Sequence, residues 1–314
     1  MLAYLFKRLG LSALIVVVAV ILLYSMIYLV PGDPVSVILG PRATPEMKAS
    51  LYAKMGLDRP FVVQVASFLG NVFRGDLGWD YFSHRPVKAI IFNHLPHTLI
   101  LVLTGIAWAI CLGLPLGCYS AIRRNSFLDK ITGVLSVSVI AIPSFVVSVY
   151  ALLVFAVTLK WFPAIGVGEQ GNVTDQLVHL VLPAFAIGLS WVGYIARLVR
   201  ASMLEVMGEN HIRMVRAFGL PEKLIIFRYA LKVAILPTIS LLGVGIGHLL
   251  STAVFAEIVF ARPGIGKLIY DSVITRNYPV VMGCVLVTTF LFVLCTMLAD
   301  IVAAGLDPRI RENL

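Results

Sequence analysis

Six stretches of this chain are each long and apolar enough to cross a lipid bilayer, and nothing else in the sequence restricts its fold so strongly. They run approximately Leu9–Val30, Thr98–Ile122, Val134–Thr158, Leu177–Ala196, Val233–Phe255 and Val281–Leu306. About 20 mostly apolar residues suffice to span the hydrocarbon layer as a helix. Inside hydrocarbon every backbone N–H and C=O must be satisfied within the segment, which restricts runs of this length to helices. Composition agrees: 60% of the residues are apolar and only 13% charged, whereas ordinary globular chains carry about 25% charged residues. So few charges could not coat a soluble surface without leaving large apolar patches. The expected fold is all-α, a polytopic membrane protein with six transmembrane helices.

Lys7 and Arg8 precede the first run as they would in a secretory leader. That run exceeds the roughly 7–15 residues of a leader core, and Pro31-Gly32-Asp33-Pro34 stands where small residues would mark cleavage. It reads as a retained first helix. The formal net charge of +9 raises the question of nucleic acid, which requires a contiguous basic face. Here the basic residues sort by loop instead. Lys7 and Arg8, then Arg123, Arg124 and Lys130, then the seven between Arg197 and Lys232, then Arg309 and Arg311 occupy alternate connecting segments. An excess of Lys and Arg in short loops marks the cytoplasmic side. Both termini are therefore expected in the cytoplasm, and no nucleic-acid partner is expected beside the membrane lipid.

This divides the chain into an N-terminal segment with the first helix (1–30), a long exterior loop (31–97), a five-helix core (98–306) containing a cytoplasmic loop at 205–232, and a short cytoplasmic tail (307–314). The exterior loop carries structure of its own. Thr44-Pro45-Glu46 combines an N-cap oxygen, a proline at the first helical position and an acid in the first turn, and Gly56 supplies a stop. A second amphipathic stretch runs from Phe61 to Phe73 and ends before Gly75. Two short helices are expected against the outer mouth, as a gate, a docking point or a structural cap.

The cytoplasmic loop is the most informative segment. Ile212, Val215 and Phe218 recur at three-residue spacing and predict one apolar stripe, while Gly219 and Pro221 end the helix. A helix of about three turns cannot cross the membrane, so its stripe either lies on the lipid interface or inserts into a groove on another protein.

Ionisable groups inside spans are the default functional candidates of a membrane protein. His248 shares a helical face with Ser251 and Thr252, and these could line a translocation path or bond a neighbouring helix. Ser144, Ser148, Ser190 and Tyr194 are further pathway candidates, and Asp300 is placed to pair with Arg309 or a neighbouring loop. Gly113 with Gly117, and Gly243 with Gly247, form small-xxx-small faces for close helix approach. Pro115, Pro143, Pro183 and Pro237 are expected to kink their spans. Cys111, Cys118, Cys284 and Cys295 all lie in apolar runs and read as small buried residues. Gly264-Ile265-Gly266-Lys267 lacks both the first glycine and the Ser/Thr of a phosphate loop. Asn172-Val173-Thr174 fits a glycosylation sequon of the kind that arises by chance. No hydrolytic constellation, metal site or cofactor site is expected.

The stretch Glu209-Asn210-His211-Ile212-Arg213-Met214-Val215-Arg216-Ala217-Phe218-Gly219-Leu220, with Ala234-Ile235-Leu236-Pro237 downstream, resembles the EAA-type loop of bacterial ATP-binding cassette (ABC) importer permeases. Further matches span the chain: Pro31-Gly32-Asp33-Pro34, Gly56-Leu57-Asp58-Arg59-Pro60, Gly75-Asp76-Leu77-Gly78, the segment from Glu257 to Gly266, Arg276-Asn277-Tyr278-Pro279-Val280 and Asp307-Pro308-Arg309-Ile310-Arg311. Together they resemble the B-type permease subunit of dipeptide, oligopeptide and nickel importers. Arg262 departs from the family's usual Trp, and Phe218 from a common Lys.

The resemblance implies a type I ABC importer permease fold in the bacterial inner membrane. It implies a non-catalytic subunit forming half of a peptide pathway, with ATP hydrolysed on partner subunits. The implied partners are a second, homologous permease in a heterodimer, two cytoplasmic ABC ATPase subunits, and a periplasmic or lipid-anchored substrate-binding protein. Glu209, Ile212, Val215, Arg216, Ala217, Phe218 and Gly219 would form the ATPase-coupling helix. Nickel or another metal chelate, glutathione and oligosaccharides are alternative cargoes. A secondary transporter or channel without an ATPase would need charged coupling residues near the midplane, where His248 stands nearly alone.

Overall fold

In the computed structural model, residues 2–29, 34–40 and 43–306 are described. In chain order the helices are α1 (Leu2–Leu29), α2 (Pro34–Leu39), α3 (Pro45–Met55), α4 (Phe61–Phe73), α5 (Val87–Ile122), α6 (Phe127–Ala141), α7 (Ser144–Ala151), α8 (Val173–Met207), α9 (Asn210–Ala217), α10 (Glu222–Leu224), α11 (Leu231–Ala234), α12 (Leu236–Val259), α13 (Ile265–Ile274) and α14 (Tyr278–Leu306). π-helical turns extend α7 over Leu152–Thr158 and join α10 to α11 over Ile225–Ala230. Among the described residues the sole β-type pairing is an isolated bridge between Trp79 and Pro86. Motif residues 31–33 and 307–311, with Arg309, fall outside the described residues, as does the side chain of Asp300.

Helices α5, α8, α12 and α14 are each long and apolar enough to cross a membrane. The expected span Val134–Thr158 is instead two helices, α6 and the extended α7, bent by 98°. Pro143 is the cause: the residue before a proline is driven out of the helical region, and Ile142 is extended, with ψ 121°. Counting this bent pair as one span gives five among the described residues, and the shorter apolar helix Ala13–Ser25 within α1 makes the total compatible with the six runs of the sequence.

The chain forms two compact units. One comprises Met1–Thr98 with Pro263–Val293. Its core is Val87, Ile91, Ile265, Val280 and Cys284, and α1 meets α4 through the Tyr24 and Phe68 rings, 5.8 Å apart. Both helices expected in the 31–97 segment form, and α3 is bounded by the caps its sequence indicates. The Thr44 hydroxyl accepts the Met47 N–H, and Gly56 ends α3 at φ 66°. Between α4 and α5, Asp80 accepts the Asn277 amide at 2.6 Å, the Phe82 and Ser83 N–H groups and the Ser83 hydroxyl. This buried knot joins the segment after Gly75-Asp76-Leu77-Gly78 to the Arg276-Asn277 turn. Burial alone would raise the Asp80 carboxyl, but these hydrogen bonds outweigh it and hold the group below its ordinary value. A cavity of about 260 Å³ in the same unit is walled by Tyr24, Trp79, Tyr81 and Tyr278, with Arg59 among its lining.

The second unit comprises Leu99–Arg262 with Leu294–Leu314 and is organised around α8, which packs against α6, α7 and α12. Its N-cap is Asn172, whose side chain accepts the Asp175 N–H, a structural use for the sequon residue. Gly113 and Gly117 do allow close approach: a Cβ on Gly117 would stand 2.5 Å from the Ala196 carbonyl oxygen of α8. Gly243 meets Ala299 of α14 in the same way. Pro183 interrupts α8 and, lacking an N–H, cannot bond the His179 carbonyl. The buried Arg262 guanidinium reaches that carbonyl, and the Gly166 carbonyl, at 3.4 Å each. The departure from the family's usual Trp thus has a structural place. Cys118 and Cys284 are buried as expected, but Cys111 is exposed on α5 next to the exposed Leu112. An apolar run fixes the environment of a span without fixing which face looks outward.

Candidate coupling helix and polar membrane face

Helix α9 follows α8 after a single turn and spans eight residues, about 12 Å at 1.5 Å per residue. Glu209 caps its start with an extended backbone, and its carboxylate lies 2.9 Å from His211. Its end is abrupt. Phe218 closes the last turn, and Gly219 takes φ 74°, a left-handed conformation that reverses the chain before Pro221. Arg216 then spans that turn to form a bidentate pair with Glu222, at 2.6 and 3.3 Å. The C-terminal end of α9 is therefore braced to the segment that follows it.

The structure divides the expected stripe. Ile212 is 0% exposed and Val215 8%, facing inward where α9 packs against the Ile225–Ala230 turn and α8. Phe218 is 74% exposed, and so is Met214 at 57%. The reason is helical geometry. A step of three residues turns about 300°, so each step drifts by about 60° and Phe218 points about 120° away from Ile212. Met214 and Phe218, four residues apart, share the outward face instead. Of the three residues of the expected stripe, Ile212 and Val215 thus pack inward within this chain and Phe218 alone lies on the exposed face. Met214 belongs to the exposed surface although sequence spacing gave it no role. Ala217 and Arg216 are exposed beside it.

A second polar group of residues lies on α7, α8 and α12. His248 and Ser251 are exposed on α12, between Val244 and Phe255 at spacings of three and four. Tyr194 is exposed on α8. The Trp191 ring stands between the two helices, 5.6 Å from Tyr194 and 6.0 Å from His248, and Phe145 of α7 meets Phe255 at 5.8 Å. Three of the six candidate pathway residues are less free. Thr252 is half-buried and its hydroxyl is returned to the His248 carbonyl at 3.2 Å. Ser148 is completely buried and donates to the Ser144 carbonyl at 2.9 Å, so it belongs to the helix packing and not to the open face. Ser144 is half-buried. Ser190 donates to the Val139 carbonyl of α6 at 3.2 Å.

One polar centre escaped sequence reading. Asp129, 4% exposed, accepts from Arg200 at 2.6 and 2.9 Å, from the Asn125 N–H at 2.9 Å and from the Ser120 hydroxyl. It joins α5, α6 and α8. The available signal was Ser126-x-x-Asp129, a capping-box spacing in which Ser126 accepts the Asp129 N–H.

A helical, multi-pass chain carrying a rigid amphipathic helix between two long apolar helices has the architecture of a membrane transport subunit. Residues 113–312 match the family described as binding-protein-dependent transport system inner membrane component, and residues 1–102 match its N-terminal counterpart. The chain belongs to this family, and it is a membrane-spanning permease subunit of an ABC importer. It is 34% identical over 312 residues to the glutathione transport system permease protein GsiC of Salmonella choleraesuis (strain SC-B67), covering 99% of each chain. It is 37% identical over 318 residues, again with 99% of each covered, to a protein of Brucella suis biovar 1 (strain 1330) that bears the name of a peptide permease. A solved structure of the MetNI methionine ABC transporter in an inward-facing conformation shares the fold, with a TM-score of 0.57 at 18% identity, over 70% of this chain and 97% of that one.

Proposed function

We propose that this chain forms one half of the translocation pathway of a short-peptide importer, pairs with a second, homologous permease, and receives the ATPase stroke through α9. The observation that carries the coupling role is the division of α9 into a buried anchor, Ile212 and Val215, and an exposed apolar pair, Met214 and Phe218. A helix that must transmit displacement needs both. Its anchor ties it to α8 and to the segment leading into α12, and its outward pair gives a cytoplasmic ATPase a knob to grip. The chain itself hydrolyses nothing; ATP is consumed on two ATPase subunits, and a binding protein delivers substrate at the opposite face. Both termini lie in the cytoplasm. Tyr194, His248 and Ser251 line the path together with residues of the second permease.

Short peptides, glutathione among them, are the cargo class favoured by the names of the relatives; glutathione is itself a tripeptide with free carboxylates. The test is uptake of labelled dipeptide and glutathione by cells carrying Met214→Glu with Phe218→Glu. Uptake is expected to fall by about tenfold or more, the loss of a central apolar anchor, with ATPase lost from the purified complex. Normal uptake together with normal ATPase assembly would refute the coupling role.

A further inference from the structure

A groove of about 560 Å³ lies between the start of α6 and the end of α8, and the transport roles above make no use of it. Three contacts fix the antiparallel register of these two helices. Asp129 pairs with Arg200, the Ser136 carbonyl stands against Gly193, and Ser190 donates to the Val139 carbonyl. The groove therefore has two chemically different ends. At the Asp129 end its lining carries Lys130, Arg197 and Arg200; away from it the lining continues through Thr132, Gly133, Ser136, Val137 and Ala196, small or apolar side chains without charge. From Asp129 to Val137 the groove follows α6 for about 12 Å.

The charges do not cancel. Asp129 is the one carboxylate in the lining, and Arg200 already pairs with it. Lys130 and Arg197 are exposed, and among the described residues neither has a carboxylate within ion-pair distance. Two positive charges are left at the mouth of a groove whose remaining walls are small or apolar and uncharged beyond Asp129 and Arg200. A Cβ on Gly133 would meet nothing within 4 Å, so the groove is open where a side chain would ordinarily fill it.

We propose that this groove binds an anionic phospholipid of the cytoplasmic leaflet, its phosphate held by Lys130 and Arg197 and one acyl chain lying along Gly133 and Ala196. The proposal rests on the orientation given above, which puts the α6 start and the α8 end at the cytoplasmic boundary. Basic pockets between membrane helices on that side suit anionic headgroups, and the apolar continuation of the groove suits a lipid better than a free anion. A bound phosphate would bridge α6 to α8, the helix that leads into α9.

The test uses the assembled transporter, purified through a tag on this chain, delipidated in detergent and titrated in native mass spectrometry. The probes are dioleoyl phosphatidylglycerol, dioleoyl phosphatidylcholine and inorganic phosphate. Phosphatidylglycerol is expected to remain bound where phosphatidylcholine is lost. Lys130→Gln with Arg197→Gln should weaken it by about 30-fold, each basic residue being worth about a factor of five near an anionic lipid. Gly133→Leu, which keeps every charge and has open space to occupy, should weaken it by about tenfold by filling the acyl path. Millimolar phosphate should leave the lipid in place. Equal binding of the two lipids, binding unchanged in both variants, or displacement by phosphate alone would each overturn the proposal. So would binding to the isolated chain that disappears in the complex, since the groove would then belong to the second permease. Uptake in Met214→Glu with Phe218→Glu cells is independent of all these outcomes, which separates a failure here from a failure of the coupling role.

Discussion

Two carboxylates, Asp129 and Asp80, organise polar contacts that hydropathy could not reveal. Asp129 accepts from α5, α8 and its own helix turn. Asp129→Ala would strand the Arg200 fork and the Asn125 N–H. Breaking a buried pair costs about 3–5 kcal/mol; Arg200 is 32% exposed, so the expected loss is nearer 2–3 kcal/mol after allowance for solvent screening. Thermal unfolding of the purified chain checks this, and an unchanged Tm would mean the pair is ornamental. Asp80 makes the corresponding knot in the other unit, and its depressed carboxyl sets a pH window. A group whose folded pKa lies below its unfolded value contributes fully above the unfolded value and loses that contribution as pH falls through the folded one. The Asp80 knot should therefore be intact above about pH 4 and loosen only below the ordinary carboxylate value of 3.8. Hydrogen exchange at the Phe82 and Ser83 amides measures it; exchange that accelerates already between pH 7 and pH 5 would contradict it. Asp129 was partly legible, through the Ser126-x-x-Asp129 spacing. Asp80 was not, because its partner Asn277 is almost two hundred positions away and no local pattern announces such a contact.

Local punctuation served the elements well and periodicity served them only in part. Thr44, Pro45 and Gly56 bounded α3, Gly219 bounded α9, and Gly113 and Gly117 marked the face that α5 turns to α8. These features act within one turn or one close contact, so the sequence displays their cause directly. The bend at Pro143 was expected as a kink and reaches 98°, since the strength of a bend depends on what packs around it. Ile212, Val215 and Phe218 do not share one face of α9, because three-residue spacing carried over six residues rotates by about 120°. The consequence is measurable. Val215→Asp places a charge in the packed side of α9 and should destabilise the loop by about 3 kcal/mol or more, whereas Phe218→Asp changes an exposed side chain and should move stability by only about 0.5 kcal/mol. Limited proteolysis around Gly219 distinguishes them: accelerated cleavage is expected for Val215→Asp alone. Equal cleavage of both variants would show that Phe218 also supports the fold.

For the molecule as a whole, the six apolar runs and the scarcity of charge fixed the class, and motifs spread from end to end fixed the family. What they could not supply is the division into two compact units, each assembled from two separate stretches of the chain, because it depends on contacts between segments far apart in sequence. Nor could they say which side of each helix is left open. The open polar face of Tyr194, His248 and Ser251, and the open pair Met214 and Phe218, are the surfaces a single permease subunit would be expected to complete with other chains. The decisive measurement is a photo-crosslinker placed at position 218 in the assembled transporter within native membranes. Crosslinking to an ATPase subunit is the expected result, with the yield changing when ATP is trapped. A crosslinker at 218 that captures only lipid, while the ATPase remains in the complex, would contradict the role of α9 as the coupling helix.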